Sequence, residues 1–228
     1  MHPEWRAFFG ASSAKLEGSF RNLMNIAVLV SGGGTNLQAL IDAEREDRLG
    51  CGRICCVISS KPGVYALERA AAAGLPGEVL PPRSSGADVE EELLRLLEKY
   101  DVGLVVLAGF LSILGERVVR RYENRIINVH PALIPSFCGK GFYGLHVHEA
   151  ALDYGVKVTG ATVHFVNEVP DGGAIILQKA VGILPNDTPE TLQRRVMEEA
   201  EWKLLPRAVQ LFCDGKLRVF GRRTEILE

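Results

Sequence analysis

The chain has 228 residues, 47% of them hydrophobic and 24% charged, with a formal net charge of -2. This suits one α/β domain, or at most two, with ample material for a core, and it excludes a disordered chain. The charge gives no case for electrostatic capture of nucleic acid or an anionic membrane, so any anionic ligand must be held by a local site.

The first 23 residues carry Trp5, Phe8, Phe9 and Phe20 together with Glu4 and Glu17. They contain no apolar run of signal-peptide or membrane-spanning length. They read as an extension with an exposed or partner-packed apolar face, the core domain starting at Met24. The cysteines Cys51, Cys55, Cys56, Cys138 and Cys213 are odd in number and form no C-x-x-C pair. Reduced thiols and a cytoplasmic setting are expected.

From there strands and helices alternate. Residues 25–30 are an uncharged apolar run, as in a central parallel strand covered on both faces. A glycine-rich turn, Ser31-Gly32-Gly33-Gly34-Thr35-Asn36, leads to a helix over 37–46, with Leu37, Leu40 and Ile41 on one face. Residues 53–58 read as a second strand, 63–73 as an Ala-rich helix ended by Gly74, and 78–80 as a short strand closed by Pro81-Pro82. An amphipathic helix is predicted over 87–99, a strand over 103–108, a helix over 111–122 and a strand over 125–129. This βαβ rhythm predicts a doubly wound, mostly parallel sheet with right-handed crossovers. Residues 131–143 form a loop and 146–154 a helix. Strands over 157–166 and 174–180 lie close enough in sequence to pair as an antiparallel hairpin. A long helix over 188–212, capped by Thr188 with Pro189 at its first position, is expected to bend at Pro206.

Three segments carry chemistry. The glycine turn between a buried strand and a helix exposes backbone N–H groups, a phosphate cradle; the plain alternative is a tight βα turn. It has no lysine for a nucleoside triphosphate, and Ser59-Ser60-Lys61 after the second strand offers no acid for a ribose diol, which counts against ATP and NAD. Asn128-Val129-His130-Pro131 brings an amide and an imidazole to a strand end, and Asp171-Gly172-Gly173 adds a carboxylate in a turn. Together they suit carbonyl chemistry, although each alone has a structural explanation. His146-x-His148 lacks a third ligand at metal-site spacing, so no metal is expected. His164 reads as a structural histidine or a support for the catalytic set.

These residues resemble the phosphoribosylglycinamide formyltransferase family over about residues 24–215. The resemblance rests on the run 25–40, on 107–114 (Leu-Ala-Gly-Phe-Leu-Ser-Ile-Leu), on 127–135, on Gly144-Leu145-His146-Val147-His148, and on 163–166 with Asp171-Gly172-Gly173. It implies a Rossmann-like half (24–123) and a folate-binding, catalytic half (124–228). It also implies transfer of a formyl group from 10-formyltetrahydrofolate to the amine of glycinamide ribonucleotide, in purine biosynthesis. Asn128, His130 and Asp171 would be catalytic. The backbone at Gly34, Thr35 and Asn36 would hold the phosphate, and Glu201 the glycinamide end. Leu111, Ser112, Ile113 and Leu114, with Asn128, Asn167, Glu168, Val169, Pro170 and Asp171, would line the folate pocket. Ser112 stands where the family often has arginine, and Arg83 is the nearest candidate for a second family arginine. In this scheme Asn128 and a protonated His130 stabilise the developing oxyanion, while Asp171 fixes His130 or a bridging water and can accept the amine proton. A monomer or homodimer acting on small molecules alone is implied.

Three other readings compete. Formyltetrahydrofolate hydrolase would need a separate regulatory domain, and methionyl-tRNA formyltransferase a tRNA-binding domain. A non-catalytic nucleotide-binding module would have no use for Asn128, His130 and Asp171 together.

Overall fold

The computed structural model describes residues 23–82 and 88–228. Most of the N-terminal extension, Arg83 and the expected start of the third helix at Ala87 lie outside the described residues. Seven strands form one sheet in the order β3-β2-β1-β4-β5-β6-β7. These are β1 (Met24–Val30), β2 (Gly52–Ser59), β3 (Gly77–Val79), β4 (Leu104–Leu107), β5 (Ile126–His130), β6 (Val158–Phe165) and β7 (Ile175–Gly182). The first five are parallel; β6 runs antiparallel to both β5 and β7. The helices are α1 (Thr35–Arg45), α2 (Tyr65–Ala72), α3 (Val89–Lys99), α4 (Glu116–Arg121), α5 (Leu145–Tyr154), α6 (Pro189–Val196) and α7 (Trp202–Cys213).

Strand β1 is buried on both faces because both sets of alternating side chains are apolar. Ile26, Val28 and Val30 join Leu37, Leu40, Leu205 and Val209 of α1 and α7. Ala27 and Leu29 join Leu93, Leu96 and Leu97 of α3, and Val118 of α4, on the other face. Each buried leucine contributes about 1.5–3 kcal/mol. From β1 the chain builds outward to β2 and β3, then returns to place β4 on the other side. The crevice at that reversal is where an open α/β sheet binds ligands. Two loops meet there: Ser31 Oγ, just past β1, accepts the Leu111 N–H past β4 at 2.9 Å and pairs with Ser60 Oγ at 2.7 Å.

Two sequence expectations differ from the structure. The helix over 111–122 is confined to Glu116–Arg121, and 111–115 is loop. Gly109 takes a left-handed φ of 73°, and Gly115 enters the helix in an extended conformation, so the helix cannot start earlier. The long helix does not simply bend at Pro206. A π-helical turn over Met197–Glu201 separates α6 from α7, and Pro206 sits inside α7. Past α7, a two-stranded hairpin of β8 (Leu217–Phe220) and β9 (Arg223–Ile226) closes the chain; the sequence reading made no prediction there. Among the described residues no helix is long and apolar enough to cross a membrane.

Candidate active site

Gly34 caps α1 with φ 72°, a left-handed conformation natural to glycine. A Cβ at that position would also come within 2.7 Å of Ala66 Cβ. Among the described residues α1 has no side-chain N-cap and no acid in its first turn. Its first N–H groups therefore remain available to an anion, and the helix dipole favours negative charge there.

Asn128 and His130 are two apart on β5 and share the sheet face that carries α3 and α4. The antiparallel register sets His164 opposite Asn128 and Thr162 opposite His130 on that face. Because β6 is antiparallel, it ends beside the start of β5, where the Val166 N–H donates to Ile126 O at 2.9 Å. The loop after β6 then folds back over the face and delivers Asp171 to His130. The three residues thus gather over a sheet face, with only His130 at the strand end that the sequence pattern suggested for all. Asp171 adopts φ 54°, and Gly172 and Gly173 follow because side chains there would meet Val169 and the Phe165 carbonyl.

Asp171 Oδ2 accepts the Gly139 N–H at 2.8 Å and lies 3.6 Å from His130 Nδ1; its Oδ1 lies 3.5 Å from His164 Nε2. The Phe137 carbonyl, 2.8 Å from His130 Nε2, can only accept, so Nε2 carries the proton. By the same reasoning His164 Nδ1 donates to Phe165 O at 2.7 Å, leaving Nε2 to accept from Asn128 Nδ2 at 3.2 Å. That bond orients the Asn128 amide and leaves its second N–H for another acceptor.

His130 is 4% exposed. Burial pulls its pKa below the usual histidine value, against the opposing pull of Asp171 and the Phe137 carbonyl. Burial thus disfavours the charged imidazole, and the Asp171 carboxylate favours it. Burial raises the Asp171 pKa, but the neighbouring His164 ring, His130 and the Gly139 N–H outweigh it, and the carboxyl sits below its ordinary range. It is ionised, as a proton acceptor must be.

The π-helical turn carries Glu201 inward to 6% exposure, and Asn36 Nδ2 donates to its Oε2 at 2.6 Å. Burial raises the Glu201 pKa to about 7 despite that bond. The carboxyl thus stands in the first turn of α1, beside the glycine turn. Of the expected folate residues, Ser112, Ile113 and Leu114 line a cavity of about 590 Å³, with Phe110, Leu80 and Leu93 as apolar walls. Leu111 is exposed, its N–H held by Ser31. Asn167, Glu168, Val169 and Pro170 do not line that cavity. They form the loop leading to Asp171, tied to α4 by the Arg120–Glu168 ion pair. Val166, at the head of this loop, packs against the same buried cluster as Phe110 and Leu114.

Among the described residues no group of three or more His, Cys, Asp or Glu side chains could hold a metal ion. His146 is exposed beside Glu149. His148 is fully buried with neither ring nitrogen bonded, and burial, then His130, lower its pKa to about 4. The unfolded chain binds this proton below about pH 6.5 while the folded chain resists it down to about 4. Stability contributed by the neutral ring is therefore lost as pH falls through that window, by up to about 3 kcal/mol. Glu201, with a raised pKa, works in the opposite direction between pH 4.5 and 7. Urea unfolding of His148→Leu and wild type from pH 4 to 7 isolates the histidine: the variant should lose less stability on acidification. Parallel curves would refute the assignment.

Sequence reasoning missed Ser31 and Ser60, which fix the 111–114 loop, and Phe137 and Gly139, which hold His130 and Asp171. The last two act through backbone groups, for which side-chain pattern carries no signal.

The formyl transferase family model matches residues 24–209. The chain is 43% identical over 200 residues to the trifunctional purine biosynthetic protein adenosine-3 of Gallus gallus, covering 87% of this chain but only 19% of that relative. It is 38% identical over 199 residues to the phosphoribosylglycinamide formyltransferase of Haemophilus influenzae, covering 86% and 91% of the two chains. The crystal structure of glycinamide ribonucleotide transformylase 1 from Symbiobacterium toebii superposes with a TM-score of 0.86 at 41% identity, over 96% of this chain and all of that one. A formyltetrahydrofolate deformylase from Pseudomonas syringae shares the fold at 25% identity and a TM-score of 0.82, this chain covering 67% of its length. With most of its length matched by the family model, and with the polar cluster and glycine turn set in that same fold, the chain belongs to the formyl transferase family.

Proposed function

We propose that the protein is a one-carbon transferase that moves the formyl group of 10-formyltetrahydrofolate to the amine of glycinamide ribonucleotide, a step of purine synthesis. The observation that carries this reading is the spacing of two sites. The glycine turn follows β1 and His130 ends β5, two strands away across β4. Two strand spacings are about 10 Å, the reach of a ribosyl-glycinamide between its phosphate and its amine.

The N–H groups of Gly34, Thr35 and Asn36 hold the phosphate. Glu201, bonded to Asn36 beside this cradle, holds the same substrate beyond its phosphate. The apolar walls at Phe110, Ile113 and Leu114 suit a flat folate ring system, with Ser112 supplying only a hydroxyl. The loop carrying Asn167, Glu168, Val169 and Pro170 closes over the folate near Asp171. Asn128 donates its second N–H to the formyl oxygen as that atom gains negative charge. Asp171 takes the proton from the attacking amine. His130 takes that proton up from Asp171 and gives one to the departing folate nitrogen, so the proton lost by the amine is balanced by the one gained on the folate. No covalent intermediate with the protein is needed.

Incubation with 10-formyltetrahydrofolate, with and without glycinamide ribonucleotide, tests the reading by following folate product. Product only with the amine is expected. Product in its absence would indicate the hydrolase, and none in either case a binding module.

A further inference from the structure

We infer that Arg69, on α2, is a positioning residue for the phosphate cradle. The inference rests on the phosphate-binding role proposed for the glycine turn. Helix α2 ties down the carbonyls of that turn: the Ala66 N–H donates to Gly32 O at 3.1 Å, and Arg69 Nε donates to Gly33 O at 2.9 Å. In a trans peptide the C=O and the following N–H point in opposite directions. Drawing the Gly32 and Gly33 carbonyls toward α2 therefore aims the N–H groups of Gly33 and Gly34 away from it, to the open side of the turn. The Gly34 N–H is the first donor of the cradle, and its direction is set by the peptide that Arg69 holds.

Arg69 is itself fixed. Its Nη1 donates to Gln38 Oε1 at 3.0 Å, and its guanidinium lies 4.8 Å from the Tyr65 ring centroid. Gln38 Nε2 in turn donates to Asp42 Oδ1 at 2.9 Å. One planar cation thus joins α1, α2 and the glycine turn ahead of α1, which a flexible ammonium with a single-point charge cannot reproduce. Three consecutive glycines have the widest backbone freedom available to a chain. Without this clamp, the turn must be ordered at the moment of binding, and affinity for the phosphate falls.

The test compares wild type, Arg69→Gln, Arg69→Lys and Gln38→Ala, using glycinamide ribonucleotide and its phosphate-free riboside as acceptors. Arg69→Gln should raise KM for the ribonucleotide about 10–100-fold while kcat changes less than about 3-fold, the pattern of lost uniform binding. KM for the folate and for the riboside should stay as in wild type. Gln38→Ala, which keeps the charge and removes its anchor, should shift the same KM in the same direction by a smaller factor. Arg69→Lys should fall between wild type and Arg69→Gln. Wild-type behaviour of both Arg69→Lys and Gln38→Ala would show that charge alone matters and overturn positioning. An equal rise in KM for the riboside would reveal a general loss of packing and overturn it as well. If Arg69→Gln does not fold, as judged by its melting curve, the other two variants still decide. A wild type that does not discriminate ribonucleotide from riboside would sink the phosphate cradle itself, a separate result.

Discussion

Asp171→Asn is expected to lower kcat about 10³-fold, within the 10²–10⁴-fold range of a positioned proton acceptor, while formyl-folate binding stays within about 2-fold. The substitution is nearly isosteric, and the amide oxygen can still accept the Gly139 N–H that fixes the loop. What disappears is the anion 3.6 Å from His130 Nδ1 and 3.5 Å from His164 Nε2. The amine proton then has no basic acceptor, and His130 gains no stabilisation when it becomes charged. Single-turnover kinetics with calorimetric measurement of folate binding separate the two effects. Turnover within tenfold of wild type would remove Asp171 from the proton path.

Asn128→Ala is expected to lower kcat about 10²–10³-fold, or roughly 3–4 kcal/mol of transition-state stabilisation, with smaller changes in KM for either substrate. The side chain is held by the His164 Nε2 bond with one N–H left over, so its amide is aimed before the substrate arrives. That bond also predicts that Asn128→Asp is no milder than alanine. A carboxylate would lack the N–H that Asn128 gives to His164 Nε2 and would repel the developing oxyanion. An aspartate variant more active than the alanine variant would overturn the oxyanion role. Steady-state kinetics on the two proteins suffices.

Much of the frame was legible because its causes are local. The uncharged run of β1, the capping threonine before α6 and the glycine ending α2 each act through neighbours in sequence. The candidate catalytic residues were legible as types in a pattern, and the structure gathers Asn128, His130 and Asp171 around His164. The route of Asp171 was not legible, because it depends on β6 running antiparallel and its loop folding back over the sheet. Nor was the loop at 111–115, whose apolar residues have helical spacing but whose flanking glycines at 109 and 115 take other conformations.

The sequence by itself determined the strand and helix alternation, the glycine turn at the head of α1 and the identity of the polar residues able to do carbonyl chemistry. These follow from side-chain period, backbone freedom and functional-group type, properties that a residue carries with it. Tertiary structure alone decided the lowered pKa of His130, the raised pKa of Glu201 and the placement of that carboxyl against Asn36 by a π-helical turn. Desolvation and hydrogen bonding between residues as distant as 36 and 201 exist only once the chain has buried them together, so no local pattern could encode them.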